Sequence, residues 1–185
     1  MRTLILAIAA VILPLVAAPP SALADPYVDN AVIDELFNEL ADSRNEVDAN
    51  EISTRIWLEW FSPNDSKLST RMSVVTNFLG EGNMESSLHE LNGIVEEYPD
   101  YAEGWNQRAT LLFRMGRYDE SLADIDKTLA IEPRHYGAMA GRVLILLKQD
   151  RELEALRQMR AALAIHPYLN ERRLFPELAN DITHV

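Results

Sequence analysis

The 185-residue chain contains no cysteine, which removes disulfide staples, thiol nucleophiles and cysteine-based zinc sites. Cysteine-free chains live in oxidising and reducing compartments alike, so this absence leaves location open. Histidine is scarce, with four in all, His89, His135, His166 and His184. His89-Glu90 has no second histidine on its helical face, so the zinc-protease arrangement is missing. His135 and His166 stand beside prolines and read as polar junction residues. No glycine-rich phosphate loop, nucleophile elbow or calcium loop occurs. Basic side chains number 17 against 29 acidic ones, for a net charge of −12 and a pI near 4.7. So acidic a surface repels phosphate backbones, which argues against nucleic acid and favours basic or neutral partners. The acids Asp119, Glu120, Asp124 and Asp126 share one predicted helix and read as a solvated face. Nothing here demands a metal, a cofactor or a catalytic set, and the expectation is a protein that is not an enzyme.

Long apolar runs are also missing, with one short exception. Leu4 to Ala18 is almost unbroken, follows Arg2, contains Pro14 and ends before Ala22-Leu23-Ala24. A run of that length falls short of the ~20 residues needed to span hydrocarbon. The arrangement is that of a secretory signal over residues 1–24, cut after Ala24, with an uncleaved anchor as the alternative. No cysteine follows the run, which excludes a bacterial lipoprotein. The mature chain would begin at Asp25 with 16 basic side chains against 29 acidic ones. It would be exported and periplasmic, without stable membrane insertion.

What the chain does have is a period. Pro99, Pro133 and Pro167 are spaced at 34 residues, and the stretches they close align without gaps. The units run from Leu68 to Tyr101, Ala102 to His135 and Tyr136 to Leu169, each predicted as two helices of about 13 residues. Turns are expected at Gly82, Gly116 and Asp150, where a left-handed residue is needed to leave the first helix. Ser87, Ser121 and Ala155 form a small-residue column that lets the paired helices approach. Leu91, Ile125 and Met159 form a buried one. Upstream, 31–43 and 47–61 read as two amphipathic helices, with Trp57, Trp60 and Phe61 as core rather than a sugar platform, before the turn cluster at 62–66. Residues 25–66 are therefore an N-terminal hairpin, 67–169 the repeats, and 170–185 a cap and tail.

The columns Trp105, Ala109, Leu112, Gly116, Tyr118, Ser121, Leu122, Leu129 and Pro133 resemble the tetratricopeptide repeat family. The third unit keeps Val143, Leu146, Ala155, Leu156, Ala162 and Pro167. The first is more degenerate, with Arg71 and Met84 in the columns of Trp105 and Tyr118. As a whole the chain also resembles small exported repeat proteins of proteobacteria. The resemblance implies an all-α superhelix of stacked hairpins whose ends need capping. The N-terminal hairpin, a diverged repeat with Ala49 in the small column, would cover one end. Leu174, Phe175 and Leu178 would cover the other, unless the tail occupies a groove or a partner.

The same resemblance implies a peptide or protein partner in the concave groove lined by the first helices. The matching positions are Met72, Ser73, Thr76 and Leu79 in the first unit. The second gives Glu103, Asn106, Gln107, Thr110, Phe113 and Arg114, and the third Ala140, Leu144, Leu147 and Lys148. Asn106, Gln107 and Thr110 can bond a peptide main chain, and Arg114 and Lys148 can pair with a carboxylate. The carboxylate clamp of chaperone-binding relatives is absent, since Met72, Thr76, Gln107, Gly137 and Gly141 stand in its places. The expected function is an interaction module or scaffold. A homo-oligomer stacking through its terminal repeats and a cryptic enzyme are the alternatives.

Overall fold

A computed structural model describes residues 24–178. These form eight α-helices in four successive hairpins: α1 (Asn30–Ala41) with α2 (Glu46–Phe61), α3 (Ser66–Gly80) with α4 (Met84–Glu97), α5 (Ala102–Arg114) with α6 (Tyr118–Ile131), and α7 (Tyr136–Lys148) with α8 (Glu152–Leu163). Two short 3-10 turns follow, Asn170–Leu174 and Pro176–Leu178. There is no strand among the described residues. Residues 1–23 of the expected leader fall outside them, as do residues 179–185 of the tail.

The three repeat hairpins turn alike because the same backbone problem is solved three times. Gly82, Gly116 and Asp150 take φ of 73°, 75° and 57°. In each, the amide after the left-handed residue reaches back to a helix carbonyl: Asn83 to Phe78 at 2.8 Å, Arg117 to Leu112 and Arg151 to Leu146 at 2.9 Å. This closing pattern satisfies carbonyls that the helix end leaves without partners. Aspartate performs in the third unit what glycine does in the first two, at some steric cost. Ser87, Ser121 and Ala155 are fully buried where the paired helices approach. Ser121 Oγ donates to Ala109 O across the pair at 2.7 Å, so its hydroxyl is not wasted. Leu91, Ile125 and Met159 are buried as their column requires.

The N-terminal hairpin departs from expectation. It does not stack on α3 as a further repeat; α2 crosses the ends of successive units. At its C-terminal end, Tyr101 Oη donates to Trp60 O at 2.7 Å. Trp60 then stacks on His135, centroids 4.0 Å apart and planes 9° from parallel. Two turns back, Tyr136 Oη donates to Ser53 O at 3.3 Å, and Ser53 Oγ lies 2.7 Å from His166 Nε2. At its start, Glu46 meets Arg173 at 3.0 Å and Arg172 at 3.5 Å in the tail. The reason is side-chain size. A stacked repeat needs a small residue where its helices approach the next, whereas α2 carries bulky aromatics. These find their complement in Tyr101, His135 and Tyr136, which stand at the junctions between units. Burial of the hairpin's Ile33, Leu36, Phe37, Leu40, Ile56 and Trp60 joins it to the main core.

The tail begins as 3-10 rather than α-helix, and Pro176 stops it by withholding an amide hydrogen and restricting the residue before it. Phe175 and Leu178 are buried as a cap would be, but Leu174 is 50% exposed. Asp25, which would open the mature chain, is buried. Its Oδ2 accepts from Ala102 N at 2.8 Å and its Oδ1 from Tyr27 N at 2.9 Å. It thereby caps α5, whose own N-cap residue Tyr101 offers no side-chain acceptor. Burial pushes the Asp25 carboxyl up to about 6.

Candidate binding cavity

The concave side holds a cavity of about 610 Å³. Its floor is the first helices of the second and third units. Gln107, Thr110, Phe113 and Arg114 come from α5, and Ala140, Gly141 and Leu144 from α7. Its walls are the two ends of the chain. Asn50, Ser53 and Trp57 of α2 stand on one side, and Tyr168, Asn170 and Glu171 of the tail on another. Two glycines make this possible for different reasons. A Cβ on Gly137 would lie 2.6 and 2.7 Å from Trp57 ring carbons, so the missing side chain is what seats α2. A Cβ on Gly141 would meet only Ile125 Cδ1, at 3.6 Å, so its missing side chain is open volume.

Seven of the candidate residues come together here: Asn106, Gln107, Thr110, Phe113, Arg114, Ala140 and Leu144. They differ in freedom. Asn106 Nδ2 donates to Glu103 Oε2 at 3.0 Å, and Gln107 Nε2 donates to Glu103 Oε1, so both amides are already engaged. Thr110 and Arg114 are exposed, and Arg114 forms no ion pair with the described residues. The remaining positions lie elsewhere. Met72 is buried in the core with Leu68 and Val75, not groove-facing. Ser73 and Thr76 are exposed on α3, but each hydroxyl donates to its own helix, to Ser69 O and Met72 O. Lys148 is exposed at the end of α7, outside the cavity.

Glu103 is the clearest correction. It is 1% exposed and forms the hub beneath the cavity instead of part of its surface. His135 Nδ1 accepts from Ala138 N at 3.1 Å and so caps α7. Its Nε2–H then donates to Glu103 Oε2 at 2.9 Å. A buried carboxylate is tolerable when its oxygens are filled by donors, and three side chains fill these. His166 is equally committed. Its Nδ1 accepts from Tyr168 N at 3.2 Å, leaving Nε2–H for Ser53 Oγ. Burial lowers its pKa to about 4, and burial likewise raises the Tyr136 hydroxyl above its usual range. His135 and His166 are thus pins between α2 and the repeats, more than polar junction residues. Sequence reading missed the α2 and tail walls because no column of the repeat contains them. The aromatic stripe of α2, with aromatic residues recurring at the junctions between units, was the available signal.

No helix among the described residues is long and apolar enough to cross a membrane, and no cluster suited to a metal ion occurs among them.

Comparison with known proteins agrees with this geometry. Residues 102–135, the second unit, match the tetratricopeptide repeat family. A tetratricopeptide repeat-containing protein of Rhizobium etli is 36% identical over 135 residues, a stretch covering 73% of this chain and 66% of that protein. Among solved structures, a tetratricopeptide repeat protein from Parabacteroides merdae superposes with a TM-score of 0.55 at 18% identity, over 78% of this chain and 57% of that one. The crystal structure of MamA gives 0.50 at 17% identity, over 73% and 78%. At such identities the structures speak for the fold alone. With its 34-residue period, its thrice-repeated turn and a relative of the same kind, the chain belongs to the tetratricopeptide repeat proteins, a class of helical protein-interaction modules.

Proposed function

We propose that this protein is exported to the periplasm and holds a short polypeptide segment in the cavity between α5, α7, α2 and the tail. The cavity carries the reading. Its volume lies within the ~300–1,000 Å³ of ordinary ligand clefts, and its lining is mixed. Trp57, Phe113 and Leu144 offer apolar contact, while Thr110 and Arg114 offer an unengaged hydroxyl and an unengaged cation. Such a lining suits a chain with main-chain carbonyls and a carboxylate better than it suits chemistry, because the one histidine among the lining residues, His166, is held at both nitrogens by Tyr168 N and Ser53 Oγ and made a poor base by burial. The α2 wall also sets the ligand's size. Two or three side chains fit, and a helix laid along the whole array does not. The buried Phe175 and Leu178 cover the C-terminal end with the chain's own residues, which favours this reading over stacking of copies through that face.

The test is a crosslinking pull-down from the native envelope, with Gly141→Phe to fill the cavity and Arg114→Ala to remove its cation. A partner held by the wild type and lost by both variants, at unchanged helicity, is the expected result. Retention by both would overturn it. Mass measurement of the protein from the periplasmic fraction, expected to start at Asp25, tests export separately.

A further inference from the structure

Among the described residues, one buried side-chain nitrogen has no hydrogen-bond partner: Arg142 Nε. The repeat supplies the control for this atom, since position 108 of the second unit is position 142 of the third. Arg108 donates through Nε to Asp124 Oδ2 and through Nη2 to Asp124 Oδ1, both at 2.7 Å, a two-pronged grip on one carboxylate. In the first unit the column of Arg108 holds Val74, and the acid in the column of Asp124, Glu90, accepts instead from Nε of Arg71, which stands in the column of Trp105. In the third unit the column of Asp124 holds Gln158, and no hydrogen bond joins it to Arg142. Arg142 instead turns Nη2 to Asp126, on the helix of the preceding unit.

A pocket accompanies the change. In the second unit a hollow of about 200 Å³ is lined by Leu88, Asn92, Arg108, Glu120, Ala123 and Asp124 among others. Shifted by one repeat, the same positions line a hollow of about 450 Å³ at Leu122, Asp126, Arg142, Glu154, Arg157 and Gln158. It shares no lining residue with the concave cavity and lies at the junction of α6, α7 and α8. The second-unit hollow has two arginines against two carboxylates, and the third-unit hollow three against two. The added cation is Arg157, which forms no ion pair with the described residues. In a chain of net charge −12, a hollow lined by three arginines and two carboxylates is a local excess of positive charge.

We propose that this hollow is a binding site for a carboxylate, supplied by an aspartate or glutamate side chain of a partner polypeptide. That carboxylate takes the place Asp124 occupies in the second unit, accepting from Arg142 Nε and from Arg157. A planar two-oxygen acceptor matches a guanidinium edge, and the second unit displays that match within this chain. The proposal is independent of the concave cavity and stands whether or not that cavity binds anything.

The experiment follows the arginine Nε–H signals of the ¹⁵N-labelled full chain during titration with glutarate, and separately with inorganic phosphate, at constant ionic strength. Glutarate is expected to move the Arg142 signal to saturation and to leave that of Arg108, which Asp124 already fills. Gln158→Asp, which supplies the carboxylate internally, is expected to abolish the response. Arg157→Ala is expected to weaken it about tenfold, as losing one charge-assisted bond should. Equal movement of Arg142 and Arg108 would overturn the proposal, as would a Gln158→Asp protein that still responds. Saturation by phosphate without saturation by glutarate would overturn the assignment to a carboxylate.

Discussion

The N-terminal hairpin and the second repeat hairpin are built from similar material and held in opposite ways. Both are pairs of amphipathic helices of roughly a dozen residues or more. The second repeat is held by small residues and short apolar columns that recur at fixed spacing, so each contact has a counterpart in the next unit. The N-terminal hairpin is held by contacts that occur once: Trp60 on His135, Ser53 on His166, Glu46 on the tail arginines. Periodic contacts build an array of any length. Unique contacts fix where the array is covered, and in this protein they turn an open groove into a walled cavity.

Removing the keystone of the unique set should cost most. Trp60→Ala deletes a fully buried indole, and a loss of about 3–5 kcal/mol is expected from the precedent of buried aromatic truncations. Urea unfolding measures it. If the hairpin were a dispensable appendage, the main transition would not move.

Acid should act on the same seam. His166, at about 4 when folded, stays neutral where an unfolded histidine near 6.5 takes a proton. Its contribution is complete above pH 6.5 and is lost as pH falls toward 4, on the order of 2–3 kcal/mol. Asp25 opposes this. With its folded value near 6 against 3.8 unfolded, it binds a proton in the native state first and favours folding as pH falls through that window. The two nearly offset in the wild type. His166→Gln should therefore separate them, and its stability deficit at pH 7 should shrink by pH 4.5. A deficit constant over that range would show that His166 does not titrate differently on folding.

Gly137→Ala is a smaller wedge in the same place. Trp57 cannot yield easily, being packed edge-on to Trp60 at 5.4 Å and to Tyr136 at 5.9 Å, so a cost of about 1–3 kcal/mol is expected. Amide exchange should quicken across α1 and α2 while α5 and α6 keep their protection. Gly141→Ala, four residues on, should be close to neutral. The periodic set offers the mildest test. Gly116→Ala forces a Cβ into the left-handed region at a cost of about 1 kcal/mol, and Asp150→Gly should relieve the third unit by a comparable or smaller amount. Thermal unfolding of the pair shows whether the three turns are equivalent.

The repeats were legible because their signals are local and repeated. Gly82, Gly116 and Asp150 announce a backbone conformation that few residues tolerate, and Ser87, Ser121 and Ala155 announce close approach. The site was half legible. Thr110, Phe113, Arg114 and Leu144 follow from a position in the hairpin, because the first helices line the inner face of such arrays. Glu103 follows from no column of the repeat. Its burial depends on His135, the last residue of that unit, and on α2 passing overhead. Met72, whose column reads as groove-facing, is likewise buried in the main core. One-off partnerships of side chains far apart in sequence have no period to betray them.

The course of α2 also has a consequence for the order in which the molecule comes together. Solenoids ordinarily mature locally, each hairpin finding its neighbour soon after both exist. Here the hairpin that precedes the repeats needs Tyr101, His135, Tyr136 and His166, spread over all three of them, before its aromatic face is covered. The repeats can pair neighbour to neighbour, but the hairpin must wait for the last of them. What stands before the repeats in the chain is finished after them.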